Sequence, residues 1–340
     1  MSRLQINHAS DLSSALKNLS EFDQDYSNKA ADRQAQLTKP QGSLGRLEDI
    51  AIWCAGWQQK EKPSADLPSC LVFAGNHGVA VQGVSAFPPE VTAQMVGNFQ
   101  NGGAAINQLT KLSGASLDVI ALELDKPTND FTIASAMSEK ECCVAIQAGA
   151  DAVPENADIL LLGEMGIANT TSAAAVALST FGGDAKDWVG HGTGIDDAGL
   201  ILKQQVVDKA VNLHKGSQTS SFDILMTVGG RELAAIAGAV IEARLRRIPV
   251  LLDGFISTSA AAALTKDNPH ALEHTLISHS SVERGHQKLA LKLNMRPILD
   301  LDMRLGEASG AAVALMIIKA ALATHNDMAT FDQAGVSNND

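Results

Sequence analysis

Two glutamates in glycine-rich segments are the strongest candidates for acid–base chemistry. Glu164 lies in the segment Gly163–Gly166, directly after an apolar run. Glu307 directly follows the segment Arg304–Gly306 and precedes a long apolar segment. Glu164 could cap a helix, or it could face positive charge on a sugar or bond ribose hydroxyls. Glu307 could be an ordinary acid in a first helical turn, where the dipole favours its charged form. A general base needs the opposite shift, an upward one caused by burial, and the sequence leaves this conflict open.

Two glycine-containing turns could bind a phosphate. The turn 166–171 leads into a helix that begins with Thr, Ser and Ala, whose free N–H groups favour an anion. Three alternating glycines in Gly190–Gly194 allow a backbone to approach a ligand closely. Lys203, on the helix that follows, could neutralise a phosphate, although a surface lysine is the commoner case. Asp196 and Asp197 could hold Mg²⁺ and pyrophosphate, although paired acids at a helix start are more often caps.

A third region could hold a flat apolar ring. His77 lies in a glycine-rich loop after an apolar run and fits either a core histidine or a pocket residue. Phe87 stands beside Pro88 and Pro89, which make the loop stiff. Such an apolar loop is suited to lining a slot for a ring.

These segments need a scaffold that brings strand ends together. Short apolar runs without alternation recur along the chain, most of them followed by a helix-like segment, which predicts strands buried on both faces of a parallel α/β sheet. Ligands bind beyond the carboxyl ends of such strands. Further junctions with polar or small residues follow at 228–232, 252–257 and 278–286. The predicted strands are Cys70–Ala74, Leu117–Leu122, Ile159–Leu162, Ile224–Val228, Val250–Leu252, Leu276–Ser278 and Ile298–Leu301.

Composition excludes several classes of protein. A net charge of −12 argues against a nucleic-acid or anionic-membrane partner, and the 45% of hydrophobic residues can form a large core. Motifs of P-loop nucleotide triphosphatases, classical dehydrogenases and zinc enzymes are absent from the sequence. The four cysteines show no CxxC spacing, which fits a reduced cytoplasmic protein. The start of the chain has no apolar stretch of a secretory signal, and the apolar run Ala308–Ala323 is interrupted. We therefore expect a soluble cytoplasmic protein. Residues 1–65 are predicted to be helical, and the tail Ala329–Asp340 to be frayed.

Taken together, the motifs resemble those of the nicotinate-nucleotide–dimethylbenzimidazole phosphoribosyltransferase family. The resemblance covers roughly Leu37 to Ala323, nearly the whole chain. The matching motifs, in chain order, are KPQGSLGRLE, AGNHGV, GVSAFPPEVTAQM, GEMGIANTTSAAA, GHGTGIDDAGL, VGGREL, LLDGFIS and RLGEASGAA.

The resemblance implies a fold and a reaction. The expected fold is a Rossmann-like parallel sheet flanked by helices (66–302), with a smaller helical domain formed by both chain ends (1–65 and 303–340). The expected reaction transfers phosphoribose from nicotinate mononucleotide to 5,6-dimethylbenzimidazole in cobalamin lower-loop assembly, with inversion at the sugar carbon. The family also implies a homodimer. No cofactor and no metal are expected, because a pyridinium leaving group departs without an acid and the sequence has no metal-ligand spacing.

The resemblance also assigns roles to residues. The family's catalytic glutamate falls on Glu307, the expected general base, and its second glutamate falls on Glu164. The residues predicted to bind phosphate and ribose are Gly166, Ile167, Asn169, Thr170, Gly192, Thr193, Gly194 and Lys203. Those predicted to bind the base are His77, Ser85, Phe87, Met95, Met165 and Leu305.

Two other functions remain open at this point. One is a Mg²⁺-dependent transferase that uses phosphoribosyl pyrophosphate through Asp196 and Asp197. Activity measured with and without a chelator separates it from the transfer from nicotinate mononucleotide. The other is an inactive nucleotide-binding homologue, which the presence of both Glu164 and Glu307 argues against.

Overall fold

A parallel β-sheet forms the centre of the computed structural model, which describes residues 3–192 and 194–337. Within these residues the sheet has five strands in the order β2-β1-β3-β4-β5, all parallel. The predicted α/β fold is therefore confirmed. The strands are β1 (Pro68–Ala74), β2 (Ser116–Ala121), β3 (Ile159–Met165), β4 (Val250–Leu252) and β5 (Thr275–Ile277).

Helices connect the strands and cover the sheet. Long helices between successive strands are what parallel pairing requires, because the chain must cross back before each new strand. They are α1 (Ala9–Lys17), α2 (Gln24–Gln36), α3 (Arg46–Gln58), α4 (Glu90–Gln100), α5 (Ala105–Ser113), α6 (Glu139–Asp151), α7 (Asn169–Phe181), α8 (Asp197–His214), α9 (Ser221–Val228), α10 (Arg231–Leu245), α11 (Gly254–Ala262), α12 (Arg284–Lys292), α13 (Ser309–Asp327) and α14 (Phe331–Ala334).

Both faces of the central strands are buried. Side chains of α3, α5 and α13 form one core with Cys70, Val72 and Leu161. The opposite core contains residues of α6, α7, α10 and α11 together with Leu71 and Leu162. Alternate residues of β1 and β3 thus face different cores, which explains why these strands are continuous apolar runs.

Two of the predicted strands are wrong. Ile224–Val228 belongs to α9, whose start is capped because the Ser220 hydroxyl accepts from the Asp223 N–H. A five-residue apolar run is the buried face of a short helix as readily as a buried strand, and periodicity cannot separate the two. Ile298–Leu301 forms only an isolated parallel bridge, between Leu299 and His279.

The two chain ends meet on one side of the sheet. Helices α2, α3 and α13 pack together, and the Arg33 guanidinium donates to the carbonyls of His325 and Asn326 at the end of α13. Arg33 thereby satisfies carbonyls that a helix end leaves free. A separate small domain with boundaries at 65 and 303 stays a prediction, since α3 and α13 also share their core with the sheet. No helix in 3–192 or 194–337 has the length and apolarity needed to cross a membrane.

Candidate active site

A cavity of about 490 Å³ opens at the carboxyl ends of the strands. Glu164 at the end of β3, Asp253 directly after β4 and His279 after β5 line it, and the segment 304–307 closes it from the opposite side. The strand order β2-β1-β3 reverses direction beside this point, and α/β sheets of this order bind ligands at such a reversal.

Glu307 lies outside the helix that follows it. Gly306, Glu307 and Ala308 all have left-handed backbone conformations, with φ of 83°, 60° and 61°. Helix α13 therefore starts only at Ser309, and Glu307 is not in its first turn. Burial, reinforced by the neighbouring Asp253 carboxylate, raises the pKa of Glu307 to about 7. Burial thus prevails over any stabilisation by the helix dipole, and Glu307 titrates in the range that suits a general base.

Glu164 is almost fully buried beside this segment. Only 5% of it is exposed, and the Asn169 side-chain N–H donates to its carboxylate. Burial, with smaller effects of nearby carboxylates, raises the pKa of Glu164 to about 8 despite this hydrogen bond. A side chain at position 306 would lie 2.5 Å from a Glu164 oxygen, so only glycine lets the two segments approach.

The polar end of the cavity is built around the turn before α7. Gly166, Ile167, Asn169 and Thr170 line the cavity there. Lys203 is not among the described residues that line the cavity. Its ammonium donates a hydrogen bond (2.7 Å) to the hydroxyl of Thr170, which does line it. Lys203 is 1% exposed, and burial lowers its pKa to about 8. An anion at Thr170 would offset that desolvation, since a nearby negative charge favours the ammonium form.

The glycine loop 190–194 borders the same end. Gly192 lines the cavity, and its N–H donates to the Glu283 carboxylate at 3.0 Å. Gly194 lines an adjoining cavity of about 980 Å³, which shares Glu283 and Arg304 with the first. Thr193, predicted to bind phosphate, lies outside the described residues.

Apolar side chains form the outer rim of the cavity. Phe87, Met165 and Leu305, all predicted to bind the base, line it. Phe87 is 49% exposed and Leu305 55% exposed, so both have surface left for a ligand to cover. Such a rim suits a flat apolar ring.

Three residues predicted to bind the base lie elsewhere. Ser85 and Met95 are absent from the described lining of the cavity. The Ser85 hydroxyl accepts from the Phe87 N–H at 3.4 Å, and Met95 packs against the core to which α3, α5 and α13 contribute. His77 is buried between the Glu232 carboxylate and the Ser172 hydroxyl. His77 is therefore a core histidine, although its partners are side chains rather than a backbone carbonyl.

Nine of the residues that line the cavity were not predicted individually. Each follows a strand or lies in a motif that was noted, but a single residue at a junction is a weak signal. What singles them out is that they meet at one cavity, which only the fold reveals. They are Asp253, Gly254, Phe255, Ile256, His279, Ser281, Glu283, Arg304 and Gly306.

The two acids considered for Mg²⁺ have ordinary roles in this structure. The Asp196 carboxylate caps α8 by accepting from the Gly199 N–H at 2.8 Å. The Asp197 side chain is 96% exposed and 3.6 Å from His191. Across 3–192 and 194–337 no group of three or more metal-ligating side chains comes together.

Comparisons with known proteins agree with this architecture. A family model described as phosphoribosyltransferase matches residues 19–336. The chain belongs to this phosphoribosyltransferase family. This chain is 56% identical, over 91% of both chains, to the nicotinate-nucleotide–dimethylbenzimidazole phosphoribosyltransferase of Ruegeria pomeroyi. It is 54% identical to the protein of the same name from Novosphingobium aromaticivorans, over 95% of this chain and 96% of that one.

A solved structure shares the fold of this phosphoribosyltransferase. The crystal structure of CobT from Thermus thermophilus superposes with a TM-score of 0.86 at 37% identity, covering 92% of this chain and 99% of that chain. The parallel sheet and its helices are therefore the fold of a solved relative over nearly its full length.

Proposed function

We propose that this phosphoribosyltransferase transfers phosphoribose from nicotinate mononucleotide to 5,6-dimethylbenzimidazole in cobalamin assembly. Relatives covering nine-tenths of the chain carry the name of this reaction. The observation that carries the proposal is the pairing of two buried carboxyls, Glu164 and Glu307, in one cavity with an apolar rim and a polar end. The products are α-ribazole 5′-phosphate and nicotinate.

The bonds that break and form require one base. The C1′–N bond of the pyridinium nucleotide breaks, and its electron pair returns to the ring nitrogen, which leaves neutral without needing an acid. A benzimidazole nitrogen attacks C1′ from the opposite face, so a β-nucleotide gives an α-product. The N–H proton of the attacking ring passes to Glu307. With a pKa of about 7, this carboxyl is substantially ionised at neutral pH and still basic enough to take a proton.

Glu164 is assigned to the ribose side of the reaction. With a pKa of about 8 its carboxyl is mostly protonated at neutral pH before a substrate binds. A pyridinium ring and the positive charge that develops at C1′ favour the ionised form. The proposed role of Glu164 is to ionise with the nucleotide bound and to stabilise that charge as the C1′–N bond breaks.

The polar end is proposed to hold the phosphate. The turn Gly166–Thr170 would offer backbone N–H groups at the start of α7. In the glycine loop, the Gly192 N–H donates to the Glu283 carboxylate and the Gly194 N–H to the His191 carbonyl, so a phosphate would have to replace these acceptors. Thr193 stays a predicted phosphate ligand. Lys203, behind Thr170, supplies the positive charge, and the phosphate in turn restores the ammonium form that burial disfavours.

The apolar rim is proposed to hold the benzimidazole. Phe87, Met165 and Leu305 would cover the ring faces, placing the ring between the rim and Glu307. Fixing both substrates in line with C1′ would supply a large part of the acceleration.

A product analysis tests the reaction. The protein is incubated with nicotinate mononucleotide and a panel of benzimidazoles, and the products are identified by mass spectrometry. We expect an α-ribazole phosphate and one equivalent of nicotinate. Reaction only with phosphoribosyl pyrophosphate, or none with either donor, would overturn the proposal. The homodimer and the cytoplasmic location also stay proposals, which light scattering and cell fractionation would check.

A further inference from the structure

Asp253 joins three parts of the cavity. It directly follows β4 and is 1% exposed. Its Oδ1 accepts from the Ala311 N–H in the first turn of α13 at 3.1 Å. The backbone N–H groups of Ala308 and Gly310 also favour its ionised form. It therefore ties the end of β4 to the backbone that directly follows Glu307.

His279 completes the contact from the neighbouring strand. Its Nδ1 lies 3.6 Å from Asp253 Oδ1, and both side chains are buried. A Cβ at position 310 would clash with this nitrogen, so the start of α13 sits directly on the imidazole. The other oxygen of Asp253, Oδ2, is buried and has no hydrogen-bond partner among the described residues. A charge held in this way is poorly screened by water.

We propose that Asp253 is a positioning residue for Glu307: it anchors the left-handed turn that presents Glu307 to the cavity, and its buried carboxyl interacts electrostatically with that of Glu307. This inference rests on the proposed general-base role of Glu307. Asp253 acts on Glu307 and need not touch either substrate.

The direction of the charge effect follows from the groups around Glu307. Burial raises the pKa of Asp253, and His279 and the backbone N–H groups of residues 308, 310 and 311 oppose that rise. When Asp253 is ionised, its negative charge stands near Glu307. That charge raises the pKa of Glu307. The other ionisable groups that line the same cavity are Glu164, His279, Glu283 and Arg304. None of them is substituted when only Asp253 is neutralised.

Asp253→Asn separates the charge from the anchor. The amide keeps an oxygen that can accept from the Ala311 N–H, and it removes the negative charge. The readout is the titration of the Glu307 carboxyl in the ligand-free protein, followed by ¹³C NMR with labelled glutamate and assigned through Glu307→Gln. We expect the titration midpoint to fall by about one pH unit. Asp118→Asn, which neutralises an exposed carboxylate on β2, is the matched control and should leave the midpoint unchanged.

Kinetics then separate this inference from the proposed function. If Glu307 is the base, the low-pH limb of kcat/KM shifts with the NMR midpoint in Asp253→Asn. An NMR shift without a kinetic one would support the coupling and overturn the base role of Glu307. An unmoved NMR midpoint would overturn the proposal for Asp253 whatever the activity.

A second variant covers the case in which Asp253→Asn does not fold. Asp253→Ser is also uncharged, and its hydroxyl oxygen can still accept a backbone hydrogen bond. The Glu307 midpoint should fall in this variant as well, and an unmoved midpoint would overturn the proposal.

Discussion

Replacing Glu164 by Gln should stabilise the fold, and increasingly so as the pH rises. In the folded protein the pKa of Glu164 is about 8, mainly because of burial, against 4.5 for the free side chain. The folded state therefore binds a proton that the unfolded state has lost at neutral pH. A group with a raised folded pKa stabilises the protein less as the pH increases, until the pH exceeds the folded pKa.

The size of the effect follows from the two pKa values. With 4.5 in the unfolded chain and about 8 in the fold, the ionisable carboxyl costs about 2 kcal/mol at pH 6 and about 5 kcal/mol at pH 9. Glutamine has the same length, cannot ionise and can still accept from Asn169. The cost of burying the amide does not depend on pH and cancels between the two conditions. The advantage of Glu164→Gln should thus grow by about 3 kcal/mol from pH 6 to pH 9.

Denaturant unfolding of wild type and variant at pH 6 and pH 9 measures this difference. Glu155→Gln is the control, because that side chain is 86% exposed and its pairing with Arg3 is on the surface. Its pH-dependent difference should stay below about 0.5 kcal/mol. An advantage of Glu164→Gln that is equal at pH 6 and pH 9 would show that Glu164 is not desolvated as described, and would refute the reasoning.

Three further expectations concern the substrates. Lys203→Ala should raise the KM for nicotinate mononucleotide far more than the KM for the base, because the buried ammonium is assigned to the phosphate. Lys209→Ala, on the exposed side of α8, is the control. Equal effects of Lys203→Ala on both KM values would contradict the assignment. Phe87→Ala should weaken benzimidazole binding by about 1–3 kcal/mol when the nucleotide is saturating. The control Leu112→Ala, at an exposed position on α5, should leave this binding unchanged. An unchanged affinity of Phe87→Ala for the benzimidazole would place Phe87 outside the base site. Turnover should persist in excess EDTA, since the pyridinium leaving group is already cationic, and a strict Mg²⁺ requirement would favour the pyrophosphate-dependent alternative.

The sequence predicted those parts of the fold that depend on local pattern. The continuous apolar runs 70–74 and 159–162 lie in β1 and β3 because both faces of these strands are buried, and such strands have no polar alternation. The run 224–228 is equally apolar but lies in α9, where the Ser220 cap and the surrounding helices decide the conformation. Local pattern does not contain that tertiary information.

The candidate site divides in the same way. Glu164, Phe87 and Leu305 were predicted from motifs and do line the cavity. Whether the pKa of Glu307 is lowered by a helix dipole or raised by burial could be decided only from the structure. Three left-handed residues move its carboxyl out of the first turn of α13. Asp253 could not be singled out in advance, since its importance depends on contacts with residues 308–311, more than fifty positions away in the chain.

The activity of Glu307→Gln tests the central claim most directly. Both side chains have the same length and the same backbone cost at φ 60°, so the variant removes the base and little else. We predict that kcat falls by about 10²–10⁴-fold while the affinity for nicotinate mononucleotide stays close to that of the wild type. The Tm should also be close to that of the wild type near about pH 4, where Glu307 is protonated in both the folded and the unfolded state. Near-native turnover of Glu307→Gln, measured with both substrates saturating, would contradict the assignment of Glu307 as the general base.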